Sequence, residues 1–127
     1  MAPLARSFHE LEVYKTAFRF QQHVFEISKR WPVDERFALT GQIRRSSRSI
    51  GANISESWAK RRYPAHFLSK LTDADGELQE TIHWLDSALA CGYLAQPDYN
   101  DLTAKITSIG KMLGNMINQY ESFCTAH

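Results

Sequence analysis

Cysteine is scarce in this 127-residue chain: Cys91 and Cys124 are the only two, far apart and outside any metal-ligand spacing. That excludes a disulfide scaffold and makes a reducing, cytoplasmic setting the expectation. Proline occurs four times and glycine six times, too few for a fibrous or low-complexity chain. Long apolar runs are missing as well. No window approaches the roughly 18 apolar residues of a membrane span, and the first twenty residues carry Arg6, Glu10, Glu12, Lys15 and Arg19. Neither a membrane partner nor a targeting segment is expected. Net charge is nearly absent too, at +1 from 15 Lys+Arg against 14 Asp+Glu. What is present is 43% apolar and 12% aromatic residues, the opposite of a disordered composition. A chain of this length buries enough surface to fold as one domain, residues 1–127, without a metal or disulfide staple.

No stretch alternates with period two long enough to be a strand, and four stretches carry a helical period: residues 7–30, 34–58, 64–90 and 98–123. Ser7 and Glu10 suggest a capping box at the start of the first, and Pro32 stops it. Its apolar residues form two seams, one through Leu11, Tyr14, Phe18 and Phe25, the other through Val13, Ala17, Phe20, Val24, Ile27 and Trp31. Two seams are more than one helix contact covers, so burial on two sides is expected. The second stretch places Leu39, Ile43, Ile50 and Ile54 among Gly41, Ser46, Ser47, Ser49, Gly51 and Ala52, small residues that admit a close neighbour. Tyr63-Pro64 breaks the chain before a third helix with Phe67, Leu71, Ala74, Leu78, Ile82, Leu85 and Leu89 on one face and Trp84 off it. Gly92 and Pro97 punctuate the passage to the fourth, whose Leu102, Ile106, Ile109, Leu113, Met116 and Tyr120 recur at 4, 3, 4, 3, 4. The pattern reads as an all-α, antiparallel up-down-up-down four-helix bundle. Its surplus apolar surface, taken as Val13, Phe20, Val24, Ile27 and Trp84, is the expected interface of a homo-oligomer.

Spacing argues against catalysis, and no cofactor or metal is expected. Asp73-Ala-Asp75-Gly76-Glu77 opens like a calcium loop, but its glycine is fourth instead of sixth and Trp84 stands where the bidentate Glu belongs. Glu80-x-x-His83 has the di-metal spacing, yet it lies off the apolar face and has no second copy. There is no Gly-x-Ser-x-Gly elbow, and Gly51-Ala-Asn-Ile-Ser lacks the phosphate-loop lysine.

Charge distribution is more informative. Six bases (Arg44, Arg45, Arg48, Lys60, Arg61, Arg62) stand against the single acid Glu56 between residues 44 and 62, whereas residues 73–101 hold seven acids and no Lys or Arg. Arg44 and Arg48, one turn apart, make a phosphate-binding ladder that Arg62 joins if the helix continues; a solvated charged face is the other reading. A polar stripe, Gln42, Ser46, Ser49, Asn53 and Glu56, is favoured as a hydrogen-bonded seam at a packed contact over a ligand pocket.

Leu11-Glu12-Val13-Tyr14-Lys15 with Ala17, then Gln42-Ile43-Arg44-Arg45-Ser46-Ser47-x-Ser49-Ile50-x-Ala52-Asn53-Ile54-x-Glu56, then Phe67 to Glu80 and Gly92-Tyr93-Leu94, resemble the four-helix-bundle family encoded in intervening sequences of bacterial 23S ribosomal RNA genes. Accessory variability determinant proteins of diversity-generating retroelements look like distant members of the same fold. The resemblance covers nearly the whole chain. It implies a cytoplasmic four-helix protomer, a ring of five protomers and a nucleic-acid role. Two departures stand out: Glu56 is followed by Ser57-Trp58 where the family pattern has glycine, and Gly-Ser-Leu in the third helix becomes Gly76-Glu77-Leu78. Either could redirect phosphate binding. The leading expectation is a non-catalytic oligomer that binds RNA or DNA through phosphate with weak sequence preference, since neither a base-reading motif nor an aromatic platform of the RNA-recognition or single-strand-binding type is visible. The alternatives are a protein-interaction scaffold without nucleic acid and an enzyme the spacing does not reveal.

Overall fold

The computed structural model describes residues 5–124, which form four long helices around one shared apolar core: α1 (Glu12–Ser28), α2 (Leu39–Ala59), α3 (Pro64–Ala90) and α4 (Gln96–Asn118). Among the described residues no strand occurs and no helix is long and apolar enough to cross a membrane. Each boundary has a local cause. Ser7 and Glu10 do not start α1. They close a 3-10 turn at Phe8–Glu10 in which Ser7 Oγ accepts from His9 N–H at 3.2 Å and Glu10 accepts from Arg6 N–H at 2.5 Å. Leu11, extended at φ −72° and ψ 126°, separates that turn from α1. The second helix likewise begins later than its periodicity suggested, because Pro32 leads into a 3-10 turn at Val33–Glu35. Glu35 Oε1 then accepts from the Leu39 N–H at 3.3 Å, standing in for a missing N-cap. Gly41 is required where this turn crosses α2: a Cβ there would sit 2.9 Å from the Arg36 carbonyl oxygen.

Pro64 occupies the first turn of α3, as its missing N–H allows. At the far end, Gly92 at φ 78° closes a Schellman motif, with Gly92 N–H donating to Leu89 O and Tyr93 N–H donating to Ala88 O. The fourth helix stops at Asn118 instead of continuing to 123. Gln119 breaks it, and a short final turn, α5 (Tyr120–Phe123), folds Phe123 back onto Phe67 of α3 with ring centroids 6.2 Å apart.

The core is filled from the expected faces of α2, α3 and α4, including Ile43, Ile54, Leu71, Leu85, Leu102 and Ile109, all fully buried. For α1 the expectation is corrected. Val13, Phe20 and Val24, taken as an oligomer interface, are 4%, 1% and 0% exposed within the single chain and belong to the core. The other seam of α1 lies along α2, where Gly51 leaves room for Tyr14 and Gln21. The apparent surplus is therefore largely consumed inside the protomer. Ile27 and Trp84 are half-buried against the same core.

Candidate nucleic-acid interface

Helix α2 carries both sequence-derived features, the basic residues and the polar stripe, and its two neighbours sort them. Toward α3, Arg45 donates from Nη1 to Glu77 Oε2 at 3.1 Å and pairs through Nη2 with Glu80. Glu80 also accepts from the Trp84 indole N–H at 3.0 Å. The Trp84 hydrogen bond, aided by the Arg45 guanidinium and opposed by burial, holds the Glu80 carboxyl below its ordinary range. Arg45 is thus neutralised by α3 and leaves the expected binding set. One of its partners, Glu77, is one of the two departures of the sequence from the resembled pattern. The near metal-site spacing of Glu80 and His83 is likewise spent: Glu80 is in this network, and His83 packs edge-on against Trp84 at 4.9 Å. Among the described residues no group of three or more His, Cys, Asp or Glu could hold a metal ion.

The polar stripe does not act as one unit. Ser46 alone is fully buried, its hydroxyl 2.8 Å from that of Thr81 across the α2–α3 contact. Ser49 and Asn53 bond to carbonyls of their own helix, Arg45 O and Ser49 O. Gln42 is exposed and accepts from Arg45 Nε at 3.4 Å. Glu56, also exposed, pairs with Lys70 of α3 at 2.7 Å. The hydrogen-bonded seam is therefore confined to Ser46 and Thr81, with Glu56–Lys70 marking register at the surface.

Toward α1 the arrangement differs. Arg44 lies with its guanidinium 4.8 Å from the centroid of Phe25, donates from Nε to Ser28 Oγ at 2.9 Å and reaches the Phe25 carbonyl at 3.5 Å. Arg48, one turn on, lies 5.5 Å from the same ring, and Lys29 approaches it at 4.7 Å. Lys29 has Glu26 as a partner at 3.2 Å, but among the described residues neither Arg44 nor Arg48 meets a carboxylate. Phe25 is therefore a platform on which cations rest by attraction to the ring face, with Arg44 anchored through Nε and Nη2 and its remaining N–H groups, and those of Arg48, turned to no carboxylate among the described residues and open to an anion. Gly41, Arg44, Arg45, Arg48, Ser49 and Ala52 surround a shallow open depression of about 480 Å³ beside it.

The remaining bases lie elsewhere. Helix α2 ends at Ala59, about 22 Å beyond Arg44 at 1.5 Å per residue, so Arg62 does not join the ladder. Arg61 folds back on its own helix end, its guanidinium 3.7 Å from the Trp58 ring and its Nε donating to Trp58 O at 2.9 Å. Lys60 and Arg62 are exposed beside it. The six bases thus divide into an Arg44/Arg48 pair on the α1 side, a neutralised Arg45 and a terminal cluster at 60–62. Sequence reasoning omitted Lys29 and Phe25 from the site; the signal for Phe25 was its place on the Leu11, Tyr14, Phe18 seam of α1, which was read only as a packing face.

Compared with known proteins, residues 9–115 match the family described as 23S rRNA-intervening sequence protein. A crystal structure of a protein with unknown function from the S23 ribosomal protein family of Bacteroides thetaiotaomicron VPI-5482 superposes with a TM-score of 0.75 at 29% sequence identity. That alignment covers 84% of this chain and 95% of that one. No curated protein matches the chain.

Proposed function

The chain belongs to the 23S rRNA-intervening sequence protein family, and we propose that its function is non-catalytic binding of RNA or DNA through phosphate contacts. The observation that carries this reading is the Arg44/Arg48 pair, one helical turn apart, without a carboxylate partner among the described residues and propped on Phe25. Arginines in this setting offer planar N–H forks to phosphate oxygens while their stems stay ordered. Lys29 at the same ring is paired with Glu26, and the Lys60–Arg62 cluster is a separate group of positive charge.

The protomer proposed is an antiparallel up-down-up-down bundle of cytoplasmic setting, and the assembly a ring-like homo-oligomer; the number five rests on the family resemblance alone. Of the interface expected from sequence, Ile27 and Trp84 remain available, and Val33 and Phe37, 77% and 90% exposed at the α1–α2 turn, add apolar surface. Repeating a modest patch around such a ring would raise avidity without new contacts. Those same two side chains favour the second reading, a protein-interaction scaffold, because an exposed apolar pair suits a protein partner better than a phosphate.

A salt titration separates the two. With the two unpaired arginines engaged on a single strand, affinity should fall about 7-fold between 50 and 200 mM salt, and reversing Arg44 and Arg48 to Glu should remove most of that slope. Absence of binding at low salt, with the wild type folded, would leave the scaffold as the reading to pursue.

A further inference from the structure

Building on the phosphate-binding reading, we propose that the outer seam of α1 makes this a single-strand site, in which unstacked bases rest on Phe18 and Tyr14 while phosphates follow Arg44 and Arg48. Tyr14, Phe18, Gln21 and Phe25 recur at spacings of 4, 3 and 4 and so share one face of α1. Phe25 is capped by cations, but Phe18 is 45% exposed, an unusual position for a ring on a helix whose apolar partners are otherwise covered. It is held in place from one side: Tyr14 lies 6.1 Å from it, and Phe8 meets Tyr14 edge-on at 4.8 Å. His9, Tyr14, Lys15, Phe18 and Arg19 bound an open shelf of about 420 Å³.

Charge decides the kind of occupant. Lys15 and Arg19 flank the shelf and, like Arg44 and Arg48, meet no carboxylate among the described residues. An apolar protein helix laid on this seam would have to desolvate four unpaired cations, whereas a polyanion neutralises them. Phe25, on which Arg44 and Arg48 rest, lies about 10 Å along the helix axis from Phe18, so one strand can reach both the rings and the arginines. Duplex bases present only their edges, so a convex helix bearing rings cannot stack on them. Splayed single-strand bases present a π face.

The test compares three probes of matched length on the wild type: an oligo(U) strand, an abasic strand with the same phosphates, and a duplex. Oligo(U) should bind tightest; Phe18→Ala should weaken it about fivefold or more and leave the abasic strand unchanged, while Phe18→Trp should retain the affinity. Arg44→Glu with Arg48→Glu should weaken all three. Equal binding of oligo(U) and the abasic strand, or no effect of Phe18→Ala on oligo(U), would overturn the stacking inference and leave the phosphate reading intact. Failure of every probe at low salt would overturn both. A lower sedimentation mass for Phe18→Ala would also overturn it, by assigning the shelf to a contact between copies.

Discussion

Phe18 and Phe20 are two residues apart on one helix, yet replacing each with alanine should produce different outcomes. Phe20 is 1% exposed in the core, and its truncation removes a whole ring and leaves a cavity that the surrounding helices fill only in part. Such changes cost about 3–5 kcal/mol. Set against a total stability of about 5–15 kcal/mol, that is a large fraction. For a chain of this size it corresponds to a fall in Tm of about 10–20 °C. Phe18, already 45% exposed, should lose about 1 kcal/mol or less. Thermal melting by circular dichroism measures both, and sedimentation velocity on the same samples reports mass. If Phe20→Ala melted with the wild type and lost mass, the ring would sit between protomers, and the placement of the 13–17–20–24 seam in the core would be refuted.

Two further outcomes concern stability. Gly41→Ala should destabilise by about 1–2 kcal/mol despite alanine's better helix propensity, because the added Cβ meets the Arg36 backbone at 2.9 Å. Gly114→Ala, where a Cβ meets nothing within 4 Å, should instead gain up to about 1 kcal/mol; paired melts check the contrast. Glu80 has a folded pKa below its ordinary value of 4.5, so its contribution is fully present above pH 4.5 and is lost as pH falls through the lowered folded value. Melting from pH 6 down to 3 should therefore show a smaller acid loss in Glu80→Gln than in wild type; equal losses would mean that the Trp84–Glu80–Arg45 network is not linked to folding.

How much was legible in sequence depended on whether the deciding neighbour was local. Leu102, Ile106, Ile109, Leu113 and Met116 declare their buried face by spacing alone, and all five are buried. Gly92 and Pro64 likewise act within one turn of themselves. The two seams of α1 could not be ranked this way, since both are apolar and the choice rests on Gly51 and two arginines some 20 to 40 positions later. Arg45 looked equivalent to Arg44 and Arg48 because its neutralising carboxylates lie 32 and 35 residues downstream. The helix starts at 12 and 39 were misplaced because a 3-10 turn uses the same caps and proline as a helix.

Glu35 has a consequence for how the molecule comes apart. One carboxylate oxygen accepts from the Leu39 backbone and the other from the Tyr93 hydroxyl at 2.9 Å, while Tyr93 lies 6.3 Å from Trp31. The connection between α1 and α2 is thereby fastened to the connection between α3 and α4. The opposite end holds the short link at 60–63 and the final turn after Gln119, and its carboxylate pair, Glu56–Lys70, joins α2 to α3, two helices that this link already connects, not the link to the final turn. Opening should begin there, with the amides of the last turn exchanging first and those around Leu39 and Tyr93 persisting longer. The chain behaves as a clothes-peg, sprung at one end and held at the other, and its two loops at the held end should become vulnerable to a protease together, not one at a time.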